Sequence, residues 1–325
     1  MRFALMIEPQ QGLSYLDQLE IARHAEAGGF ETLFRSDHYE SFPGPDNNPT
    51  TDAWAVLAGL ARETRRIGLG ALVSPVTFRH PGNLAKLVTT VDEMSGGRIE
   101  VGLGAGWNES EHRRYGFAFP PISERADMLE EQLEILHGLW TEPDGWTFHG
   151  RYYAIADALF RAKPVDAPGR PKSASGAVRP RIIVGSDGKP RSMRIAVRWA
   201  DEFNLTSSSP DSAGQKLRGL DEACSAAGRD PATLTRSAMA GVLVGGNDAE
   251  LAKRQDALVK ALDLPAGDTW LATRRGRWVF GTPAEARDTV ARFADAGVER
   301  IMLQDFVPWD IDMIDLLADE LVGRI

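Results

Sequence analysis

The sequence contains one cysteine, Cys224, among its 325 residues. A single cysteine excludes an intrachain disulfide framework, and the CxxC spacing of redox and zinc sites is absent as well. The six histidines are scattered, and no HExxH pattern places two of them on one helix face. We therefore expect a protein of the reducing cytoplasm that holds no metal ion.

Basic residues and long apolar runs are also few. Lysine and arginine total 37 against 46 aspartates and glutamates, which gives a formal net charge of −9. Such a chain has no general basic field for a nucleic acid. No run reaches the roughly 18 uncharged apolar residues of a membrane span, and the N-terminal MRFALMIEPQQG lacks the form of a signal peptide. Nucleic acid and membrane partners are therefore not expected.

Short β-branched or apolar runs alternate with longer segments of helical period along the whole chain. Parallel strands that alternate with helices form a doubly wound sheet or a closed barrel, and eight units favour closure. We therefore predict an α/β fold, a (β/α)8 TIM barrel formed by one domain over residues 1–325. The predicted strands are Phe3–Ile7, Thr32–Arg35, Ile67–Val73, Ile99–Leu103, Arg181–Val184, Glu202–Leu205, Leu234–Leu243 and Arg300–Leu303.

Amphipathic segments between these strands predict the helices. Asp211 and Thr282 have the character of N-cap residues, whereas Gly28 and Gly228 have that of C-terminal stops. The predicted helices cover residues 14–27, 52–64, 81–95, 123–140, 190–200, 212–227, 248–262, 283–296 and 310–322.

Two stretches interrupt the alternation. Residues 141–180 contain a predicted hairpin over Trp146–Ala154, followed by a loop rich in proline, glycine and serine. Residues 264–280 form a polar loop with three arginines. Insertions in such barrels usually lie at the catalytic rim, and we expect both there.

Asp37 and His38 follow the second predicted strand in the run LFRSDHY. The carboxyl ends of barrel strands form the functional face, so both side chains are expected at the rim. A histidine there can exchange a proton near neutral pH, and an adjacent aspartate can orient it or bond a ligand. The alternative is a loop histidine bonded to the backbone, beside an aspartate that caps a turn.

Two glycine-rich turns follow later strands. Residues 102–107, GLGAGW, let the backbone pass close to a flat or phosphorylated ligand, or serve only a tight bend. Their spacing is similar to the start of a dinucleotide-binding motif. Trp107 and Asn108, however, stand where that motif continues into a helix. Residues 184–188, VGSDG, precede the helix opened by Pro190 and suit a phosphate on backbone amides, although a tight turn alone also explains the glycines.

Several of these pieces occur in an order that resembles the bacterial luciferase-like superfamily. They are SDH after the second strand, LVSPVTFRHPGNLAK after the third, SGGRIEVGLGAGWNESEHRRYGFAFP around the fourth, WADEFN at the sixth and FGTPAEARDTVARFADAGVERIML near the end. The resemblance covers nearly the whole chain. It is strongest to the branch that depends on the deazaflavin coenzyme F420, beside relatives that use FMN.

The resemblance implies a cofactor ring in the rim pocket, oriented by protein groups. His38 is expected to be the acid/base beside the reacting carbon, with Asp37 as its neighbour at the ring. Leu72–Val73 falls where relatives hold a non-proline cis peptide that forms a bulge behind the ring. The expected cofactor contacts are Asp37, Leu72, Val73, Ser74, Ala105, Gly106 and Trp107 for the ring, and Gly185, Ser186, Asp187 and Gly188 for the phosphate.

The sequence also departs from the sugar-phosphate dehydrogenases of this family. Those enzymes place a proton-donating glutamate after the glycine run, where this chain has Trp107, and Glu109 or Glu111 replaces it only if the loop folds back. Trp107 instead suggests a flat apolar wall for a ring or an organic substrate. Arg277 falls where those enzymes bind the substrate phosphate.

The leading hypothesis is an F420-dependent oxidoreductase that moves a hydride between deazaflavin C5 and a small organic substrate. One alternative is an FMN-dependent monooxygenase that takes reduced flavin from a separate reductase and activates oxygen. Another is a flavin-binding protein without turnover, against which the retained Asp37 and His38 argue. Relatives often dimerise, so a homodimer is expected.

Overall fold

Eight parallel strands run through the middle of the computed structural model, which describes residues 1–265 and 269–324. Numbered along the chain, they are β1 (Arg2–Ile7), β2 (Thr32–Arg35), β3 (Gly68–Pro75), β4 (Ile99–Gly104), β7 (Arg181–Ser186), β8 (Glu202–Thr206), β9 (Thr235–Val244) and β11 (Arg300–Asp305). Each strand pairs in parallel with the next, and the pairs β8–β9, β9–β11 and β11–β1 close the ring. The predicted (β/α)8 barrel is confirmed.

Helices surround the ring, and every helix predicted from the sequence is present with ends shifted by no more than a few residues. The periodicity succeeds because each helix buries one apolar face against the strands. No helix in the described parts of the chain is long and apolar enough to cross a membrane. The helices are α1 (Tyr15–Ala27), α2 (Ala53–Glu63), α3 (Pro81–Ser95), α4 (Glu109–Tyr115), α5 (Ile122–Thr141), α6 (Pro190–Trp199), α7 (Pro210–Ala226), α8 (Asp248–Ala261), α9 (Pro283–Asp295) and α10 (Ile311–Glu320).

The sequence-based prediction missed or shortened several small elements. Helix α4 was missed because seven residues are too few to show a helical period. A short strand, β10 (Val279–Gly281), pairs with the far end of β9 and was missed for the same reason. The predicted hairpin exists as β5 (Trp146–His149) and β6 (Ala154–Ala158), so its second strand extends beyond the expected end.

Capping side chains decide where several helices begin. The prediction of Asp211 as an N-cap was wrong, because Ser209 accepts the N–H of Ser212 and the helix opens at the intervening proline. The prediction of Thr282 is confirmed by a capping box with Glu285. A capping residue is a local signal, but only the structure shows whether Ser209 or Asp211 caps α7.

Side chains of the strands alternate between two apolar regions. In β1, Phe3, Leu5 and Ile7 belong to the large core beneath the helices. Ala4 and Met6 belong to a smaller cluster that fills the barrel interior. The other buried members of that interior cluster are Phe34, Leu72, Ile183 and Met302.

The amino-terminal end of the barrel contains a buried ionic cluster around Arg300. Its guanidinium lies 2.7 Å from Glu100 and 3.0 Å from Glu202, and it donates to Thr32 Oγ1 at 2.6 Å. Burial opposes ionisation of Glu100, but Arg300 outweighs burial and lowers the pKa of Glu100 to about 2. One cation thus ties strands β2, β4, β8 and β11 together at the end opposite the expected site.

Asp305 ends β11 and is fully buried. Its Oδ1 accepts the N–H of Val307 at 2.8 Å, while Oδ2 has no hydrogen-bond partner within the described residues. Burial raises the pKa of Asp305 to about 7. When the pKa of a carboxyl is higher in the folded than in the unfolded chain, the free energy of unfolding falls as the pH rises from the unfolded-state pKa to the folded-state pKa.

Asp305→Asn should therefore stabilise the fold at alkaline pH, since the amide keeps an acceptor for Val307 and carries no charge. We expect the free energy of unfolding to exceed that of the wild type by roughly 1–4 kcal/mol at pH 8 and by nearly nothing at pH 4. Urea unfolding at both pH values measures this difference. Asp319→Asn, at an exposed position, is the control, and a difference for Asp305→Asn that does not change with pH would contradict the assignment.

Candidate active site

The loop after β2 carries His38, whose ring is held by a carboxylate from another part of the chain. His38 Nδ1 lies 2.9 Å from Glu111 Oε2. The other oxygen of Glu111 accepts the backbone N–H groups of Tyr39 and Glu40, the latter at 3.2 Å. The His38 side chain is 15% exposed and that of Glu111 only 1%. The sequence suggested the adjacent Asp37 as a group that orients His38, but the structure gives this contact to Glu111.

Asp37 is buried, and other side chains engage both of its oxygens. Arg79 donates to Oδ2 at 2.5 Å and to Oδ1 at 3.2 Å, and Ser74 Oγ donates to Oδ2 at 2.7 Å. The same guanidinium donates to Asp52 at 2.7 Å. Burial alone would lower the pKa of Arg79, but the two aspartates outweigh it and raise the pKa. Asp37 thus anchors the β2 loop to the segment after β3, and its contact with a cofactor ring stays a prediction.

A bulge at the end of β3 packs against two glycines. The peptide between Leu72 and Val73 is cis, as the resemblance implies, and the register of β3 against β4 shifts at this point. A Cβ atom at Gly104 or Gly185 would lie 2.7 or 2.8 Å from a methyl group of Val73. The ends of β4 and β7 therefore accept Val73 because they lack side chains there.

The glycine run that ends β4 and continues into the next loop allows neighbouring strands to pack closely. A Cβ atom at Gly102 would lie 2.4 Å from the carbonyl oxygen of Ala71, so this glycine allows β3 and β4 to approach each other. Gly106 has a φ of +76°, which side chains rarely adopt. Arg125 supports the turn from behind and donates to the carbonyl oxygens of Ala105 at 3.0 Å and of Gly106 at 3.4 Å.

Trp107 stands beside His38 at the rim and is 65% exposed. Its ring makes edge contacts with Phe42, at 5.2 Å between centroids, and with His38, at 5.8 Å. Phe42 also contacts His38 edge-on at 4.4 Å. Trp107 keeps much of its surface free next to His38, and its part as a flat apolar wall stays a prediction.

The turn after β7 leads into helix α6. Gly188 has a φ of +86°, and its N–H donates to Ser186 Oγ at 3.2 Å. Asp187 lies 3.2 Å from the ammonium of Lys189, which is the N-cap residue and offers no side-chain acceptor to the helix. The methylene groups of Lys216 pack against Gly188, while its ammonium donates to Ser208 Oγ at 3.0 Å. Helical N–H groups without a side-chain cap suit an anion.

The second insertion covers the ends of β9 and β11 with aromatic rings. Trp278 stacks on Phe306 at 5.3 Å between centroids and lies directly over Gly241, where a Cβ atom would overlap the indole. Arg277 is exposed, and its guanidinium donates to the carbonyl oxygen of Thr273 at 3.4 Å. The structure thus buries Trp278 at the rim and leaves Arg277 on the surface.

His112, also buried in α4, has both ring nitrogens bonded within the protein. Nδ1 lies 2.6 Å from the carbonyl oxygen of Asn108, and Nε2 lies 2.6 Å from Thr77 Oγ1. This histidine supports the turn and presents no free nitrogen. Among residues 1–265 and 269–324, no group of three or more His, Cys, Asp or Glu side chains is placed to hold a metal ion.

Sequence reasoning did not identify Arg79 or Trp278, and it left Glu111 as an open alternative. A signal for Glu111 existed, because Asn108 followed three residues later by a glutamate is a pattern typical of a helix start. Such a helix places Glu111 on a fixed element. No local signal pointed to Arg79, whose partners Asp37 and Asp52 lie 42 and 27 residues away.

The contact of Val73 with Gly185 yields a test of the packing at the rim. Gly185→Ala should lower the free energy of unfolding by roughly 1–3 kcal/mol, since the new methyl group overlaps Val73. Val73→Ala removes the overlapping atoms, so Gly185→Ala should cost much less in that background. Urea unfolding of the four proteins measures the coupling. Gly219→Ala, where the added carbon has ordinary contacts, is the control, and additive effects of the two rim substitutions would refute the contact.

The chain is similar in sequence to proteins named as F420-dependent and FMNH2-dependent enzymes. The chain is 34% identical to an F420-dependent glucose-6-phosphate dehydrogenase of Nakamurella multipartita over 209 residues, 63% of this chain and 56% of that relative. It is 32% identical to an FMNH2-dependent dimethylsulfone monooxygenase of Pseudomonas putida over 46% of this chain and 40% of that one. The chain thus spans about half the length of these relatives.

Among solved structures, an F420-dependent secondary alcohol dehydrogenase in complex with an F420-acetone adduct superposes with a TM-score of 0.83. The match covers 98% of each chain at 20% identity and bears on the fold alone. The Luciferase-like monooxygenase family matches residues 1–300. The chain therefore belongs to the luciferase-like monooxygenase family.

Proposed function

We propose that this protein is an F420-dependent oxidoreductase that transfers a hydride between the deazaflavin and a small organic substrate. The observation that carries the proposal is the position of His38 at the barrel rim. One ring nitrogen is bonded to Glu111, and the ring lies beside the exposed face of Trp107. A histidine with one engaged nitrogen, next to an open aromatic wall, is suited to exchange a proton with a bound substrate.

The rim has features that fit a deazaflavin or flavin. The Val73 bulge packs into the space that side chains at Gly104 and Gly185 would take, which holds the bulge at the strand ends where a flat ring would bind. The turn from Gly185 to Gly188 precedes the start of α6, whose first N–H groups have no side-chain cap. These residues would hold the ring and the phosphate of the cofactor respectively.

Each side chain has a distinct part in the proposed reaction. When bound, the deazaflavin supplies the carbon that accepts or donates the hydride. His38 takes the proton from the substrate oxygen during oxidation and returns it during reduction. Trp107 forms a wall of the substrate pocket, and its apolar surface excludes water there. Asp37, bonded to Arg79, holds the loop that carries His38.

The substrate is proposed to be a small organic molecule. Trp107 stands where the sugar-phosphate dehydrogenases of the family place a proton-donating glutamate, and Arg277 is exposed and bonded to a carbonyl. Neither observation favours glucose 6-phosphate. The chain is further proposed to act as one catalytic unit, because the barrel strands extend from residue 2 to residue 305. A homodimer follows only from the resemblance.

An FMN-dependent monooxygenase, served by a separate flavin reductase, is the second candidate. Its support is the 32% identity to the dimethylsulfone monooxygenase. A flavin-binding protein without turnover is disfavoured, since the rim keeps His38 with an engaged ring nitrogen.

Titration of the purified protein with F420 and with FMN separates the two candidates. We expect F420 to bind with quenching of its fluorescence and FMN to bind at least tenfold more weakly. The same rim residues are proposed to hold the deazaflavin of F420 or the flavin of FMN. Both titrations are therefore compared under identical conditions. Tight binding of FMN without binding of F420 would overturn the first candidate in favour of the second.

His38→Ala should keep the affinity for the cofactor and lose most turnover. Removal of a general acid/base typically lowers kcat by about 10²- to 10⁴-fold, whereas the rim glycines that face the ring are untouched. Stopped-flow measurement of deazaflavin oxidation or reduction, together with the fluorescence titration, gives both values. His149→Ala, which removes an exposed histidine of β5, is the matched control with kcat near that of the wild type. Wild-type turnover in His38→Ala would remove His38 from the reaction.

A further inference from the structure

Glu111 is a buried carboxylate that has no role in the reaction proposed above. Its side chain is 1% exposed, and it forms an ion pair with the ring of His38 when that ring is protonated. The donors to its two oxygens are His38 Nδ1 and the N–H groups of Tyr39 and Glu40. A carboxylate that is desolvated in this way is stabilised only while such donors face it.

We propose that Glu111 is the positioning residue of the site: it keeps the proton of neutral His38 on Nδ1 and turns unprotonated Nε2 toward the substrate. An ionised carboxylate only accepts hydrogen bonds, so Nδ1 must donate. Neutral imidazole carries one N–H, which leaves Nε2 as an acceptor. The assignment of the tautomer follows from the structure alone, whereas its effect on turnover rests on the proposed function.

The surroundings of the ring restrict its rotation. Phe42 contacts the imidazole edge-on at 4.4 Å between centroids, and Trp107 does so at 5.8 Å. Glu111 itself is fixed, because it lies in the first turn of α4 and its backbone N–H donates to the Asn108 cap. Two aromatic rings therefore fix the plane of the imidazole, and the contact of Nδ1 with Glu111 fixes which ring edge faces the carboxylate.

The same geometry assigns proton exchange to His38 rather than to a glutamate of α4. Glu111 cannot donate a proton to a substrate, since it is enclosed and both of its oxygens accept bonds from the loop. Glu109 is exposed on the first turn of the same helix. Proton exchange thus falls to His38, and the carboxylate behind it stabilises the imidazolium that forms when Nε2 takes a proton.

Glu111→Gln is a sharp test, because glutamine has the size of glutamate and can keep its carbonyl oxygen on the Tyr39 and Glu40 N–H groups. Its amide nitrogen then faces His38 Nδ1 and donates to it. The proton of the neutral ring must move to Nε2, which inverts the tautomer without removing the loop contacts. The matched control is Glu109→Gln, a change of the same chemistry at an exposed position of α4.

The first measurement is the tautomer, read from ¹⁵N shifts of labelled histidine at pH 9, with His38→Asn to assign the signals. We expect protonated Nδ1 and unprotonated Nε2 in the wild type and in Glu109→Gln, and the reverse in Glu111→Gln. Protonated Nε2 in the wild type would overturn the proposal. The wild-type spectrum decides this whether or not the variant folds, and it needs neither cofactor nor turnover.

The second measurement is kinetic. Glu111→Gln should lower kcat by roughly 10²- to 10⁴-fold, as expected for the wrong tautomer of a catalytic histidine, with KM and cofactor affinity within about twofold of the wild type. A purely structural role would instead weaken cofactor binding and folding together. An inverted tautomer with wild-type kcat would refute the positioning role, and failure to bind any deazaflavin or flavin would refute only the proposed function.

Discussion

Hydrogen bonds between β8 and β9 close the eight parallel strands into a ring, and the site depends on this closure. A closed ring of parallel strands brings all carboxyl ends to one rim, whatever their separation along the chain. His38, Val73, Gly104 and Gly185 come from four different strand ends and meet there. At the opposite end, Arg300 ties four strands together through buried ionic contacts, so the rim lies on a rigid support.

Two carboxylates at the rim have different partners and different consequences. Asp37 is neutralised by the Arg79 guanidinium, which also binds Asp52, and this pair joins the loops after β2 and β3. Glu111 has backbone N–H groups and an imidazole instead of a fixed cation. A buried ion pair that is fully bonded mainly fixes structure, whereas a carboxylate bonded to a histidine also sets which nitrogen of that ring is free.

Trp107 gives the rim an exposed aromatic surface beside His38. The indole lies against Phe42 and His38 with much of its surface open. Trp278 and Phe306 add stacked rings at the ends of β9 and β11. Arg277, the neighbour of Trp278, remains at the surface. The exposed indole of Trp107 and the surface position of Arg277 are the basis for proposing an organic substrate.

Much of the fold was predictable, because it depends on local patterns of apolar and polar residues that can be recognised in the sequence. Alternating apolar runs predicted the eight barrel strands, and helical periods predicted every long helix. Helix α4 and β10 escaped prediction, since seven and three residues hold too little periodicity to separate them from loops. The N-cap of α7 was misplaced by two residues, because Ser209 and Asp211 are both good caps and only the backbone decides between them.

By itself, the sequence determined the barrel, the rim position of His38 and the glycines that surround the Val73 bulge, since each follows from short-range pattern or motif order. The partners of the charged groups were decided only by the tertiary structure. Asp37 could have oriented His38 as its neighbour in the chain, but it faces Arg79, and Glu111 reaches the imidazole across 73 residues. Adjacent side chains diverge from the backbone, whereas packing selects which distant charges share a desolvated space, and no local pattern encodes that choice.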